Sequence, residues 1–279
     1  MKSEARIFEG LTFDEAFKKA QQSLKKDQLK PSDFSDVYPE GEIRGDEAYV
    51  RDMEAKFAKG EEKQPESMEV HKLATIFEAL VHEQAELGDW LGEDVITIKP
   101  SRFDDVKNGV DDVVEFREGE AEASYLALGI DVTFGDDFEK KFSRIKQEID
   151  AGHMGEVKYF HSEHTGFKGR LQNVPRVVVG ADAKAVKELC GFWLEGETQN
   201  LSRHRIQFQI LEEIILQAKA FEGYASRSGQ PKIAEVYRRM GEKAERIYRE
   251  KKAMTDLSDS GERDSFFDAL KYSLKRFQN

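Results

Sequence analysis

Between residues 67 and 92, Leu73, Ile76, Phe77, Leu80 and Val81 recur at i, i+3, i+4, i+7 and i+8. That spacing gathers side chains on one face of an α-helix. Ser67 stands where a cap belongs and Gly92 where the helix should stop. Three runs then change period. Val95 to Ile98 is short and β-branched, residues 110–116 form a second strand-like run, and residues 124–134 form a third. The polar, glycine-containing stretch 117–123 reads as a hairpin connection. Helical spacing returns with Phe138, Phe142, Ile145 and Ile149, headed by Asp136 and Glu139 in a capping pattern and ended at Gly152. Apolar runs at 157–160 and 176–179 read as strands, and 181–194 as a helix following directly on the second. The predicted order is α-β-β-β-α-β with one more strand–helix pair, an α/β core with a mixed sheet flanked by helices over residues 67–195.

Both flanks read as helical. Residues 1–66 look peripheral: Thr12 and Glu15 form a capping box for a helix to about Lys26, Pro31 and Pro39 punctuate a polar stretch, a charged helix spans 46–58, and 60–67 is a linker. In residues 196–279, Ile206, Ile210, Ile214 and Phe221 mark one helix, and Gly229-Gln230-Pro231 breaks it. A charged helix follows over 232–252, and a last one carries Phe266, Phe267, Leu270 and Leu274.

Composition leaves this picture intact. With 39% hydrophobic and 35% charged residues in 279, the chain suits a globular fold with highly charged helices. No apolar run approaches the roughly 20 residues of a membrane span, and the start at Met1-Lys2-Ser3-Glu4 lacks the apolar centre of a signal peptide. A lone cysteine, Cys190, has no partner for an internal disulfide and falls in an amphipathic helix as a buried thiol. The cytoplasm is the expected compartment.

Charge changes the picture more. The total is −12, which opposes generic nucleic-acid binding, yet residues 200–279 hold 16 Lys and Arg against 12 Asp and Glu, a net of +4. Arg203, Arg205, Arg238 and Arg239 there could track a phosphate backbone, and the same helices could hold a protein partner or a second copy. Most such charge is a solvated helix face.

The chemistry concentrates in the hairpin. With an apex near residue 121, Asp111 falls opposite Asp131; Asp111, Val113 and Glu115 share one face, as do Gly129, Asp131 and Thr133 on the partner. Facing carboxylates repel, and a divalent cation such as Mg²⁺ or Mn²⁺, which takes oxygen ligands, would reconcile them. On the following helix, Lys141 lies about 60° from the apolar stripe and Lys140 about 160° away, so Lys141 is the better placed to reach the pair. Asp104 and Asp105 precede Gly109 in a loop that could approach the site, and Glu78 and Glu83 on the first helix could add an acid.

Residues 109–113 (Gly-Val-Asp-Asp-Val) and 130–133 (Ile-Asp-Val-Thr), set in the order α-β-β-β-α-β, resemble the PD-(D/E)XK nuclease superfamily, or restriction-endonuclease-like fold. Asp111 matches the aspartate at the start of the second strand and Asp131 the acid of the third. Thr133 occupies the usual lysine position, a departure that Lys141 would make good from the next helix. The resemblance covers residues 67–194 and implies a Mg²⁺-dependent endonuclease acting on DNA or RNA, with Asp111, Asp131, Lys141 and Thr133 at the catalytic site and Asp111 and Asp131 as metal ligands. A catalytically inactive binding or assembly module of the same fold, or a helical interaction protein, are the alternatives. The sequence carries no Gly-x-Ser-x-Gly elbow, phosphate loop or dinucleotide fingerprint, and His161 and His164 lack the further ligands of a zinc site.

Overall fold

A computed structural model describes residues 2–61, 65–120, 122–131, 136–254, 257 and 259–278, without the side chains of 2–11, 58–61, 65–67, 131 and 136–138. Helices α1 (Lys2–Asp27), α2 (Glu40–Glu61) and α3 (Pro65–Leu87) lead into strands β1 (Val95–Ile98), β2 (Asp112–Arg117) and β3 (Ala123–Asp131). Helix α4 (Asp136–Asp150) follows, then β4 (Gly155–His161), β5 (Lys168–Val174), β6 (Arg176–Gly180) and α5 (Ala183–Glu195). The chain closes with α6 (Thr198–Ser202), α7 (Ile206–Arg227), α8 (Pro231–Ala253) and α9 (Ser265–Ser273).

The main sheet has the order β1-β2-β3-β6, with β2 antiparallel to both neighbours and β6 parallel to β3. A parallel neighbour requires a crossover, and α4 with the β4–β5 ribbon supplies it. The strand expected at 157–160 therefore stays out of the sheet: as β4 it pairs with β5 in a separate ribbon, and β6 takes the fourth place. Alternation explains the layers. Val114, Phe116, Leu126, Leu128 and Ile130 join the large core with Ile76, Phe77 and Leu80 of α3 and Val186, Leu189 and Trp193 of α5. The other face offers Val113 and Ala127 to Val157 and Phe160 of the ribbon.

The edge strand β6 is covered by a polar ladder on α7. Gln209, Glu213 and Gln217, one turn apart and all buried, reach the strand's backbone. Gln217 bonds both the N–H and C=O of Val178 at 2.8 and 2.7 Å, Glu213 accepts from Gly180 N at 2.9 Å, and Gln209 donates to Gly180 O at 3.2 Å. These side chains do the work of a fifth strand and close an edge that would otherwise invite pairing.

The N-terminal segment is packed rather than peripheral. Helix α1 runs through Thr12, so the capping box there lies inside a helix, and it buries Ala16 and Ala20 in the large core. Phe34 and Tyr38 pack edge-on against Tyr159 of β4, and Lys158 pairs with Glu42 and Asp46 of α2. The large core itself contains residues from Ala16 to Phe277 and unites all three sequence segments.

One buried group stands without support. Glu115 of β2 is fully buried, and neither carboxylate oxygen has a hydrogen-bond partner among the described residues. An unpaired buried polar group is destabilising. Replacing it with methionine, Glu115→Met, is expected to raise the free energy of unfolding in urea by about 1–3 kcal/mol; a loss of stability would contradict this reading of β2.

Candidate functional site

A tight turn at Asp104–Asn108 ends at Gly109, whose φ of +63° is a left-handed conformation that glycine adopts without penalty. The chain emerges from it to begin β2, and Asp111 is fixed there from four directions. Its N–H donates to Leu128 O at 2.9 Å, and its carbonyl accepts from the Lys99 ammonium. Its Oδ2 accepts from Ile130 N at 2.6 Å and faces Lys141 Nζ at 3.4 Å. Lys141, on the second turn of α4, also donates to Ile130 O at 2.7 Å. Oδ1 of Asp111 has no hydrogen bond among the described residues, and the side chain keeps 16% of its exposure.

Below this pair lies a second charged group. Lys99, just past β1 and only 2% exposed, bonds the carboxylate of Glu78 on α3 as well as the Asp111 carbonyl. Burial pushes Glu78 up to about 7, an effect that Lys99 opposes and that Asp111 and Asp105 reinforce. Burial alone would also raise Asp111, but the charges of Lys141 and Lys99 and the Ile130 N–H outweigh it and hold that carboxyl below its ordinary range. Lys99 is kept protonated despite its burial by Glu78, Asp105, Asp112 and Asp111.

The sequence-predicted residues divide. Asp111, Lys141 and Glu78 come together. Asp105 joins them through the electrostatics of the cluster and is ion-paired to Arg102. Asp131 is the last residue of β3, its backbone in register with Gly180 of β6, and its side chain lies outside the described residues, as does Thr133 altogether. The expected register is corrected. Asp112 pairs with Leu128, so Asp111 falls against Gly129 and Asp131 lies two residues beyond. The hairpin closes with Glu118 N donating to Glu122 O, which centres its apex on 120 rather than 121; one residue at the apex moves each pairing by two.

Three other residues are placed elsewhere. Lys140 is exposed on α4. Glu83 accepts from Ser23 Oγ of α1 at 2.5 Å and Trp193 Nε1 of α5 at 2.8 Å, tying three helices together. Asp104, fully buried, accepts from Lys158 N at 2.6 Å and Tyr159 N at 3.0 Å and binds Ser101 and Asn108 as well, bracing the turn against β4. Three of the four C-terminal arginines are paired locally: Arg238 and Arg239 with Glu235, Arg238 also with Glu242, and Arg205 with Glu262.

Lys99 and the buried His82–Asp112 pair at 2.8 Å are the groups that sequence reasoning missed. No periodicity marks Lys99, which stands between a strand and Pro100. Among the described residues no three acidic, histidine or cysteine side chains form a cage for an ion, and no helix is long and apolar enough to cross a membrane. No family model matches the chain, and no match was found among curated proteins or solved structures.

Proposed function

We propose that this chain is a Mg²⁺-dependent phosphodiester hydrolase of the PD-(D/E)XK type acting on DNA, with Asp111 and Asp131 as the ligands of the ion. The observation that carries this reading is Lys141 Nζ at 3.4 Å from Asp111 Oδ2, a lysine from the helix after β3 brought to the aspartate just before β2. Lys141 would then do what the lysine at the Thr133 position does in the superfamily. The order α3-β1-β2-β3-α4, with β6 completing the sheet, supports the same reading.

The donor set suits a hard cation. The Asp111 carboxylate and the Ile130 carbonyl, which both meet Lys141 Nζ, are oxygen donors, and Mg²⁺ commonly binds one or two carboxylates together with water and substrate phosphate, so a protein cage is not required. When bound, such an ion lowers the pKa of a water and neutralises charge developing on the phosphate. The protein's own contribution is placement. Asp111, pinned at N–H, C=O and Oδ2, presents Oδ1 without reorganising, and Lys141 adds fixed positive charge beside it.

Cleavage of supercoiled DNA with and without Mg²⁺, by wild type and Asp131→Ala, tests the reading. Activity that requires Mg²⁺ and disappears in the variant is expected; identical behaviour of the two proteins removes the hydrolase. A second reading, an inactive binding or assembly module of the same fold, is favoured by the ion pair itself, since Lys141 already gives Asp111 a cation. In that case Mg²⁺ would leave the melting temperature unchanged, whereas a metal site gains stability by mass action.

A further inference from the structure

We propose that the cleft beside the Asp104–Asn108 turn holds a phosphate of a nucleic-acid strand, through Arg144, Arg176 and the neighbouring Lys107. The inference deepens the nuclease reading, on which it rests for its place beside the scissile phosphate, by naming where the adjoining backbone is held.

The cleft is a cavity of about 610 Å³ between the turn, α4 and the β4–β5 ribbon. Two guanidinium groups converge at its edge: a Cβ on Gly109 would stand 3.3 Å from Arg144 Nη1 and 3.5 Å from Arg176 Nη1. Both share one carboxylate oxygen, since Glu148 Oε1 lies 3.3 Å from Arg144 Nε and 3.3 Å from Arg176 Nη2. The Arg176 side chain, 4% exposed, also donates to the carbonyls of Asn108 and Gly109, and its Nε has no partner among the described residues. Burial lowers its hold on the proton, which Glu148 opposes and Arg144 reinforces. Arg144 is 40% exposed and donates to Lys107 O at 3.0 Å, and its Nη1 has no hydrogen bond among the described residues. Lys107 is exposed over the Tyr49 ring at 5.0 Å, with no ion pair among the described residues. The second carboxylate lining the cleft, Glu156, is answered by Arg170 at 3.4 Å.

Three cations therefore face one acid, in a chain whose total charge is −12. A cleft of one sign concentrates the field and draws the opposite charge. Arginine's planar fork matches phosphate, and lysine adds a point charge. Arg144 stands three residues after Lys141, on the same face of α4. A strand with one phosphate at Asp111 and Lys141 meets Arg144 one helical turn further on. Its oxygens supply the second acceptor that the two guanidinium groups lack.

The test is binding of a short fluorescein-labelled DNA duplex to the full-length protein in EDTA, followed by fluorescence anisotropy over a range of NaCl concentrations. Lys107→Gln/Arg144→Gln is expected to weaken binding about tenfold or more and to reduce the slope of log affinity against log salt by about 1.8, two phosphate contacts at about 0.9 each. Glu148→Gln removes the competing charge and keeps an acceptor for both arginines, so it should tighten binding. Lys219→Gln/Lys252→Gln, at exposed positions of α7 and α8, removes the same charge and should leave the slope unchanged. Circular dichroism melts confirm that each variant folds. Wild type that leaves the duplex free, a Lys107→Gln/Arg144→Gln protein with wild-type affinity and slope, equal losses in the two double variants, or weaker binding by folded Glu148→Gln would each overturn the inference. If the cleft variant loses binding while wild type cleaves nothing in Mg²⁺, the cleft stands and the nuclease reading falls; cleavage by wild type with unchanged binding in the variant leaves the nuclease reading and removes the cleft.

Discussion

Asp111→Asn is expected to lower the rate of Mg²⁺-dependent DNA cleavage about a thousandfold or more, a loss of roughly 4 kcal/mol of transition-state stabilisation. The substitution keeps the shape of the side chain and removes one negative charge. Asparagine can still accept from Ile130 N, the bond that holds the carboxylate at 2.6 Å, so the hairpin should survive. What changes is the charge available to a cation and the pairing with Lys141 at 3.4 Å. A partly exposed ion pair of this kind contributes little to stability, about 0–1 kcal/mol, so the melting curve should move by only a few degrees. Single-turnover rates at saturating Mg²⁺, with circular dichroism melts as the control, separate the two effects. A variant that folds and cleaves at the wild-type rate would remove Asp111 from the chemistry.

The largest effect on stability is expected at Asp104, not at the site itself. Its carboxylate accepts from two successive backbone N–H groups of β4, at Lys158 and Tyr159, and from Ser101 Oγ and Asn108 Nδ2, all of them buried residues. Asp104→Ala leaves those donors buried without an acceptor, and each orphaned group costs about 1–3 kcal/mol. A total of at least about 3 kcal/mol is expected in urea unfolding, read as a lower midpoint with an unchanged slope. A change below about 1 kcal/mol would show that water or a rearranged turn replaces the carboxylate. Because β4 is clamped on its far side by Phe34, Tyr38 and α2, the turn that delivers Asp111 is anchored through Asp104 to the N-terminal segment.

Periodicity made much of this fold legible. The stripe from Leu73 to Val81 is α3, and the β-branched run from Val95 to Ile98 is β1 residue for residue. Strand β5 was not legible, because Lys168–Val174 is mostly polar and pairs only with β4 in a ribbon exposed along one side. The place of β4 was equally hidden. Its residues are apolar enough for the sheet, but Tyr159 and Phe160 are buried against different neighbours, one by the N-terminal segment and one by the sheet. At the site, alternation placed Asp111 and Gly129 on one face, and the helical wheel singled out Lys141, whose stem passes 3.5 Å from where a Cβ on Gly129 would stand. The register escaped by two because the turn centres on residue 120, one position from the expected apex, and the polar stretch carries no signal that separates the two. Glu78 and Glu83 stand five residues apart on the same helix and point about 140° from each other. Packing assigns each its partner: Trp193 and Ser23 claim Glu83, and Lys99 claims Glu78.

Ion binding decides most directly whether Asp111 is a metal ligand or half of a structural ion pair. Titrating Mn²⁺ into wild type and into Asp111→Asn, with free ion followed by paramagnetic resonance, needs no knowledge of the substrate. Saturable binding to wild type that weakens at least about tenfold in the variant, about 1.4 kcal/mol, is the expected result. Wild-type protein that leaves every ion free, or a variant that binds as tightly, would contradict it.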